Sequence, residues 1–270
     1  MTPTELFQAG QLTDAIDAAV ADVKKHPTDT SRRGFFCELL CFAGQWERAD
    51  KQLDTISMQE PEAVVGLSVL RQLIRGEVAR QQFYEEGRVP EFIGEPSPAL
   101  RLHLEASIAL REGNAAEAAD LLGKAEEQRA KAGGTCDGQP FDDFRDLDDL
   151  TASCFEVYTG TGKYYWIPLE QTDLIEFHAP ERPHDLLWRR AHIVVTDGPD
   201  GEVFLPALYP GTFHSDDDGL RLGRGTDWTD QEGEPIRGCG LRMFLVGEEA
   251  KTIMELGQIQ FGAEPNAKNE

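Results

Sequence analysis

The first half of the chain repeats apolar residues with the period of an amphipathic α-helix. Leu12, Ile16, Val20 and Val23 recur three or four positions apart and form one apolar stripe. This half is also rich in Ala, Leu, Glu, Gln and Arg, which favour helices. The pattern predicts helices at residues 4–8, 11–25, 30–43, 46–58, 62–75, 77–86, 98–112 and 114–131.

Short sequence words recur along these helices at a spacing typical of helical repeats. Gly10 and Gly44 stand in similar words 34 residues apart, and Gly113 follows at nearly twice that distance. Pro27 and Pro61 keep the same interval of 34. A 34-residue helix–turn–helix period is that of tetratricopeptide repeats. The period predicts a tetratricopeptide-like domain whose concave face either receives a peptide or helix, or only packs within the protein.

The second half changes to short β-branched and aromatic runs separated by Gly and Pro. The change falls at the glycine-rich segment 133–138, which a helix cannot cross cheaply. The sequence therefore predicts two domains, residues 1–133 and 134–270, and an α+β fold overall. We expect a mainly antiparallel second domain with a hairpin turn at 198–201 and one short helix at 248–256. The predicted strands are 155–158, 164–167, 192–196, 203–205, 241–246 and 258–261.

The net charge of the chain argues against two classes of binding partner. The chain has 26 Lys and Arg against 49 Asp and Glu, a formal charge of −23. Such a field opposes binding to nucleic acid and to anionic membranes. No apolar run approaches the ~20 residues of a membrane span, and no signal peptide is visible at the N-terminus. We expect a cytoplasmic protein with five reduced cysteines that binds another protein or a small molecule.

Catalytic and metal-binding motifs find little support. The segment 159–163 resembles a phosphate-binding loop but lacks its first Gly and the Ser or Thr after Lys163. The cysteines and histidines show no metal-ligand spacing. The acidic run 142–149 could present oxygens to a cation, but it more closely matches the start of a helix. We therefore expect no metal, no cofactor and no catalytic residue.

Arginine and aromatic residues concentrate in the second half, a composition typical of interface hot spots. The candidate partner-binding residues there are Arg182, Trp188, Arg189, Arg190, Arg224, Asp227 and Trp228. An alternative is a small-molecule sensor or enzyme within residues 140–262 that uses Arg182, Arg224, Asp227 and Trp228. In the simplest interpretation most of the arginines pair internally. These arginines are Arg182, Arg189, Arg190, Arg221, Arg224, Arg237 and Arg242. Their expected partners are Asp146, Asp149, Glu202 and Asp227.

Several long words in the second half resemble one protein family. They include Arg145-Asp146-Leu147-Asp148-Asp149-Leu150, Thr161-Gly162-Lys163-Tyr164-Tyr165-Trp166-Ile167-Pro168, Pro180-Glu181-Arg182-Pro183-His184-Asp185, Gly201-Glu202-Val203-Phe204-Leu205-Pro206, Leu220-Arg221-Leu222-Gly223-Arg224-Gly225-Thr226-Asp227-Trp228 and Arg242-Met243-Phe244-Leu245-Val246-Gly247. In this order the words resemble the ImpE family, also called SciE or TagJ. The resemblance covers nearly the whole chain, since that family also begins with tetratricopeptide-like helices.

The resemblance implies a role that composition does not. The family serves bacterial type VI secretion, in which a contractile sheath fires and the AAA+ ATPase ClpV recycles it. Its members are thought to bind the N-terminal region of the small sheath subunit and to associate with that ATPase. The resemblance thus implies a non-enzymatic adaptor, with the repeat surface receiving a short amphipathic helix. Trp46 and Phe83 are candidate contacts for that helix.

Overall fold

The computed structural model describes residues 1–229 and 231–262, except for the side chains of residues 63–65. Asp230 and the last eight residues of the predicted second domain, 263–270, lie outside the described residues. The described part combines helices with a mostly antiparallel β-structure, which confirms the α+β class predicted from the sequence.

Helices build the N-terminal half where the periodicity predicts them. They are α1 (Pro3–Ala9), α2 (Leu12–Lys25), α3 (Thr30–Phe42), α4 (Trp46–Gln59), α5 (Val64–Glu86), α6 (Pro98–Arg111) and α7 (Ala115–Gln128). Polar caps start several of them: Thr2 and Glu5 form a capping box on α1, and Asp29 accepts from a backbone N–H of α3. In α2, Leu12 and Ile16 of the predicted stripe are buried.

One helix differs from the prediction. The segments 62–75 and 77–86 are not two helices but the single helix α5 after a short 3₁₀ turn. Gly76 does not break it, because the Tyr158 ring packs against this glycine: an added Cβ would lie 2.9 Å from that ring. The continuous α5 interrupts the 34-residue pattern, so the tetratricopeptide-like architecture stays a prediction.

Three antiparallel sheets build the described part of the C-terminal half. Their strands are β1 (Gly134–Cys136), β2 (Gln139–Phe141), β3 (Phe144–Asp146), β4 (Cys154–Thr159), β5 (Tyr164–Pro168), β6 (Thr172–Phe177), β7 (Trp188–Val195), β8 (Asp200–Pro206), β9 (Thr226–Trp228), β10 (Gly238–Gly240), β11 (Met243–Val246), β12 (Glu249–Thr252) and β13 (Gln258–Phe261). The largest sheet has the strand order β2-β1-β13-β6-β7-β8-β4-β5, a smaller one has the order β12-β11-β3, and β9 pairs with β10. A four-residue helix, α8 (Asp218–Arg221), lies between β8 and β9.

Each of the six predicted strands overlaps an observed one, although 192–196 extends one residue beyond β7 and 241–246 begins two residues before β11. Strands β7 and β8 form the predicted hairpin. The predicted helix at 248–256 is wrong: β12 pairs back onto β11, with Gly247 in the turn at a φ of +60°. The acidic run 142–149 is not the start of an α-helix either. It contains strand β3 and a cap on a short 3₁₀ helix, where Asp148 accepts from the Leu150 N–H.

The hydrophobic core crosses the predicted domain boundary. One buried cluster joins residues of α2 to α7 with Tyr158, Trp166 and Trp188 of the large sheet. A second cluster lies within the β-structure, around Phe144 and Phe155. The division at residue 133 stays a prediction, but the shared core means that each half covers apolar surface of the other.

Candidate functional site

A cluster of buried charges lies where α5 packs on the large sheet. We call it the buried seam. It comprises Glu77, Arg80, Asp146, Asp148, Glu156, Arg237 and Arg242.

Glu156 lies at the centre of the seam and has no exposed surface. Arg80 of α5 donates to both of its carboxylate oxygens, at 2.9 Å from Nε and 2.8 Å from Nη2. Arg242 donates from the opposite side, and the hydroxyls of Tyr84 and Tyr164 also donate to this carboxylate. The Glu156 carboxylate on β4 therefore joins α5 of the helical half to Tyr164 on β5 and to Arg242.

Two more carboxylates extend the seam through the β-structure. Asp146 accepts from Arg242 Nη1 at 3.1 Å and from the Tyr209 hydroxyl at 2.9 Å. Asp148 accepts from Arg237 Nε, which lies 2.8 Å and 2.9 Å from its two carboxylate oxygens. These bonds explain why Asp146 and Asp148 of the acidic run are buried and do not begin a long helix.

Glu77 closes the seam on the helix side. Its carboxylate accepts from the Tyr158 hydroxyl at 2.6 Å and from Trp188 Nε1 at 2.9 Å, while Arg80 lies at 3.3 Å. The Tyr158 hydroxyl and the Trp188 indole N–H thus both donate to the Glu77 carboxylate. The polar groups of these buried side chains therefore have hydrogen-bond partners.

Burial and charge act differently on the two central carboxylates. Burial alone would raise the pKa of Glu156, but Arg80 and Arg242 outweigh it and hold that pKa well below its usual range. Burial raises the pKa of Asp146 to about 6, because the single guanidinium of Arg242 offsets it only in part. Every carboxylate of the seam is hydrogen-bonded, and the arrangement fits a structural lock between the halves.

Several predicted site residues contribute to this core and not to an open surface. Phe83, with 2% exposure, packs against Trp166, and Trp188, with 1% exposure, packs against Trp46. Trp46 is half-buried and donates from Nε1 to Gln81. Their large apolar surfaces serve internal packing, and Phe83 and Trp188 have almost no exposed surface in this structure.

Arg189 is buried as well, although it was a candidate contact. Its guanidinium donates to the carbonyls of Ile253 and Leu256 and lies 5.2 Å from the centre of the Phe177 ring. Burial lowers the pKa of this arginine. It fastens the segment after β12 to β7.

The remaining candidates do not converge on one site. Arg224 is exposed and donates from Nη2 to the carbonyls of Phe7 and Gln8, where it holds the end of α1 against the β-structure. Trp228 packs edge-on against Tyr209, and Asp227 accepts from the Trp228 N–H. Only Arg182 and Arg190 line the groove described next.

The expected internal pairing of the arginines is confirmed for two carboxylates: Asp146 pairs with Arg242, and Glu202 pairs with Arg190. Asp149 pairs instead with Arg145, an arginine outside the predicted set. The sequence analysis missed the central pair of Arg80 and Glu156. One signal was available, since Glu156 is a charged residue inside an apolar predicted strand.

An open groove lies between the two halves, on another part of the same boundary. We call it the interface groove. It encloses about 1,060 Å³ between α3 and α5 on one side and β7, β8 and residues 178–185 on the other. Its apolar lining includes Phe35, Leu67 and Val69, and Val69 is 40% exposed.

Charged side chains rim the interface groove. Arg182 and Arg190 are both exposed, and Arg190 Nε lies 2.5 Å from a carboxylate oxygen of Glu202. His184 Nδ1 lies 2.6 Å from Glu38 Oε1, which joins α3 to the β-half across the groove. The groove therefore combines an apolar floor with a polar rim, as protein-binding surfaces do.

The described residues contain no group of three or more His, Cys, Asp or Glu side chains that could hold a metal ion. The same residues include no helix long and apolar enough to cross a membrane.

Comparisons with known proteins identify relatives of this chain. The family described as ImpE protein matches residues 138–260. The type VI secretion system accessory component TagJ of Pseudomonas aeruginosa is 29% identical over 261 residues, which cover 97% of this chain and 91% of TagJ.

A crystal structure has the same fold. It is that of protein VPA1032 from Vibrio parahaemolyticus, with a TM-score of 0.90 and 29% sequence identity, covering 97% of this chain and 98% of that chain. The family match over residues 138–260 and the similarity to TagJ along nearly the whole chain both support a relationship to the ImpE family.

Proposed function

We propose that this protein is a non-enzymatic accessory component of a type VI secretion system. In this role it binds the N-terminal region of the small sheath subunit in the cytoplasm and links it to the sheath-recycling AAA+ ATPase ClpV. The similarity to the type VI secretion accessory component TagJ of Pseudomonas aeruginosa supports the accessory role. The sheath subunit and the ATPase follow from the family resemblance.

The observation that carries the proposal is the interface groove. It has an apolar floor, exposed aliphatic surface at Val69 and a charged rim. An amphipathic helix with side chains is about 10–12 Å across and buries its apolar face in grooves of this kind. The residues expected to form a small-molecule site are separated in the fold: Arg224 holds α1, Trp228 packs on Tyr209, and Arg182 lines the interface groove.

Isothermal titration of the full chain with a peptide from the sheath subunit's N-terminal region tests the proposal. Val69→Asp places a charge on the groove floor, and we expect it to weaken binding by at least about tenfold. Ile108→Asp is the matched control, because Ile108 is a similarly exposed aliphatic residue of α6 that does not line the groove. Wild-type protein that gives no heat at high micromolar concentration would contradict the proposal.

The link to the ATPase has its own test. Immobilised ClpV should retain the full chain, and the chain should in turn retain the small sheath subunit. We expect Val69→Asp to release the sheath subunit while the chain stays on the ATPase. If the chain is not retained by ClpV, the linking role is wrong and sheath binding has to stand alone.

A further inference from the structure

Glycines form part of the interface groove. Gly34 lies inside α3, Gly66 lies in the first turn of α5, and Gly160 lies in the turn after β4. A Cβ added at any of the three would meet nothing within 4 Å. The space above these backbones belongs to the open groove and not to another part of the chain.

Gly34 has no internal reason to be glycine. Its φ is not in the left-handed region, and no neighbouring atom would obstruct a side chain. Gly76 is the contrasting case, because the Tyr158 ring occupies the place of its Cβ. A glycine inside a helix is less favourable than Ala by close to 1 kcal/mol. A close approach by another backbone is a recognised reason for glycine at such a position.

The strands that line the groove also limit what can occupy it. Arg190 is in β7, and Glu202 and Phe204 are in β8. Both strands lie inside the large sheet, with hydrogen-bonded neighbours on either side. An extended peptide would find no free strand edge there to pair with. A helix satisfies its own backbone hydrogen bonds and needs no such edge.

Charge selects the polar face of that helix. The lining carboxylates are Glu38, Glu181, Asp185 and Glu202, against the guanidiniums of Arg182 and Arg190. The groove thus has an excess of carboxylates within a chain whose net charge is −23. Such a field attracts and orients a basic partner and repels an acidic one.

We infer that the interface groove takes a basic amphipathic helix whose contact face carries small residues, seated with its backbone close to Gly34 and Gly66. This inference rests on the proposed function and names the chemistry of the segment that the groove receives. Small residues on the contact face let two helix backbones approach, and the basic face meets the carboxylates of the rim.

Substitution of the glycines tests the close approach. Gly34→Leu should weaken binding of the sheath-subunit peptide at least about tenfold, since the new side chain fills the groove. The same change should keep or raise the melting temperature of the free protein, because Leu is the better helix former. Gly123→Leu is the control: Gly123 is an equally open glycine within α7 that does not line the groove. Sheath-peptide binding that is unchanged in Gly34→Leu overturns the inference and leaves the proposed function standing.

Designed peptides test the chemistry without the sheath subunit. Three helices of about 16 residues, long enough to be partly folded alone, share one scaffold. One has an Ala contact face and Lys flanks, one has Leu in place of Ala, and one has Glu in place of Lys. Fluorescence anisotropy with the full chain should show binding of the Ala/Lys peptide at least tenfold tighter than of the other two, weakening with salt and with Gly34→Leu.

The two tests fail in distinguishable ways. If the Ala/Lys peptide binds in a Gly34-dependent manner and the sheath-subunit peptide does not bind, the groove chemistry is right and the proposed partner is wrong. If the Glu peptide binds as well as the Lys peptide, or if Gly34→Leu changes neither interaction, the inference is overturned.

Discussion

The buried seam and the interface groove lie on the same boundary between the helical half and the β-half, yet they are built in opposite ways. In the seam, side chains from both halves are in direct contact, and Glu156 and Arg80 are almost fully buried. In the groove the halves separate, the floor carries glycines, and Arg182 and Arg190 stay exposed. The comparison separates what holds the halves together from what is left open for a partner.

The difference also shows which charges are structural. A buried ion pair whose hydrogen bonds are complete fixes geometry, and the loss of one partner leaves an uncompensated charge out of water. An exposed pair loses much less, because water replaces the missing partner. Arginine and acidic residues of the same sequence therefore have different roles on the two parts of the boundary.

The largest effect is expected at the centre of the seam. Glu156→Gln leaves Arg80 and Arg242 without their shared counter-charge in a buried site. We expect a loss of about 3–5 kcal/mol in the free energy of unfolding, or failure to fold. Urea denaturation measures it. A loss below about 1 kcal/mol would mean that the seam does not lock the two halves.

His103 of α6, which lies outside the seam, gives the next largest effect. It is 1% exposed, and neither ring nitrogen makes a well-formed hydrogen bond within the described residues. Burial lowers the pKa of His103 to about 4 from an ordinary 6.5. Between pH 6.5 and about pH 4, the unfolded chain binds a proton at His103 and the folded chain does not. The free energy of unfolding therefore decreases as the pH is lowered across this range.

The size of this effect follows from the shift in pKa, at about 1.4 kcal/mol per unit. We expect His103→Leu to remove a loss on the order of 3 kcal/mol between pH 7 and pH 4. The wild-type protein alone would not show this cleanly. Burial raises the pKa of Asp146 to about 6, so the contribution of Asp146 to the free energy of unfolding decreases as the pH rises. This change is opposite in sign to that of His103. The measurement is therefore the difference in unfolding free energy between wild type and variant at each pH, and a flat difference contradicts the prediction.

The two helix glycines sharpen the comparison at an intermediate size. Gly76→Ala puts a Cβ 2.9 Å from the Tyr158 ring, and we expect a loss of about 1–3 kcal/mol from this overpacking. Gly34→Ala meets no neighbour and should gain up to about 1 kcal/mol in a helix. Chemical denaturation of both variants should give shifts of opposite sign. Shifts of the same sign in the free energy of unfolding would mean that the surroundings of Gly34 and Gly76 are packed alike.

The helical part of the fold could largely be predicted, because its signals are local. Apolar periodicity and caps such as Asp29 set most helix ends. The exception is instructive: Gly76 looked like a helix break, and its reason for being glycine is Tyr158, which lies far along the chain. Strands β1 and β6 are among those not predicted, since each pairs with β13, which lies far along the chain near the end of the described residues.

The candidate site was harder to predict than the fold. Phe83 and Trp188 were chosen because large aromatic residues favour interfaces, but in this fold their size fills the core between the halves. Arg190 is exposed and pairs with Glu202, one of the carboxylates expected to pair with the arginines, and its role as a partner contact stays a prediction. Gly34 could not have been singled out, because its openness depends on where the β-half leaves space above α3.

The smallest effect is expected at the exposed pair of Arg190 and Glu202. Their side chains keep 55% and 41% of their surface exposed, although Arg190 helps to hold the pKa of Glu202 below its usual range. Glu202→Gln should change the free energy of unfolding by about 1 kcal/mol or less, because solvent screens the pair. It makes the same chemical change as Glu156→Gln on the same boundary, so urea denaturation of the two variants isolates burial as the cause. A loss at Glu202 comparable with that at Glu156 would show that the groove, like the seam, holds the halves together.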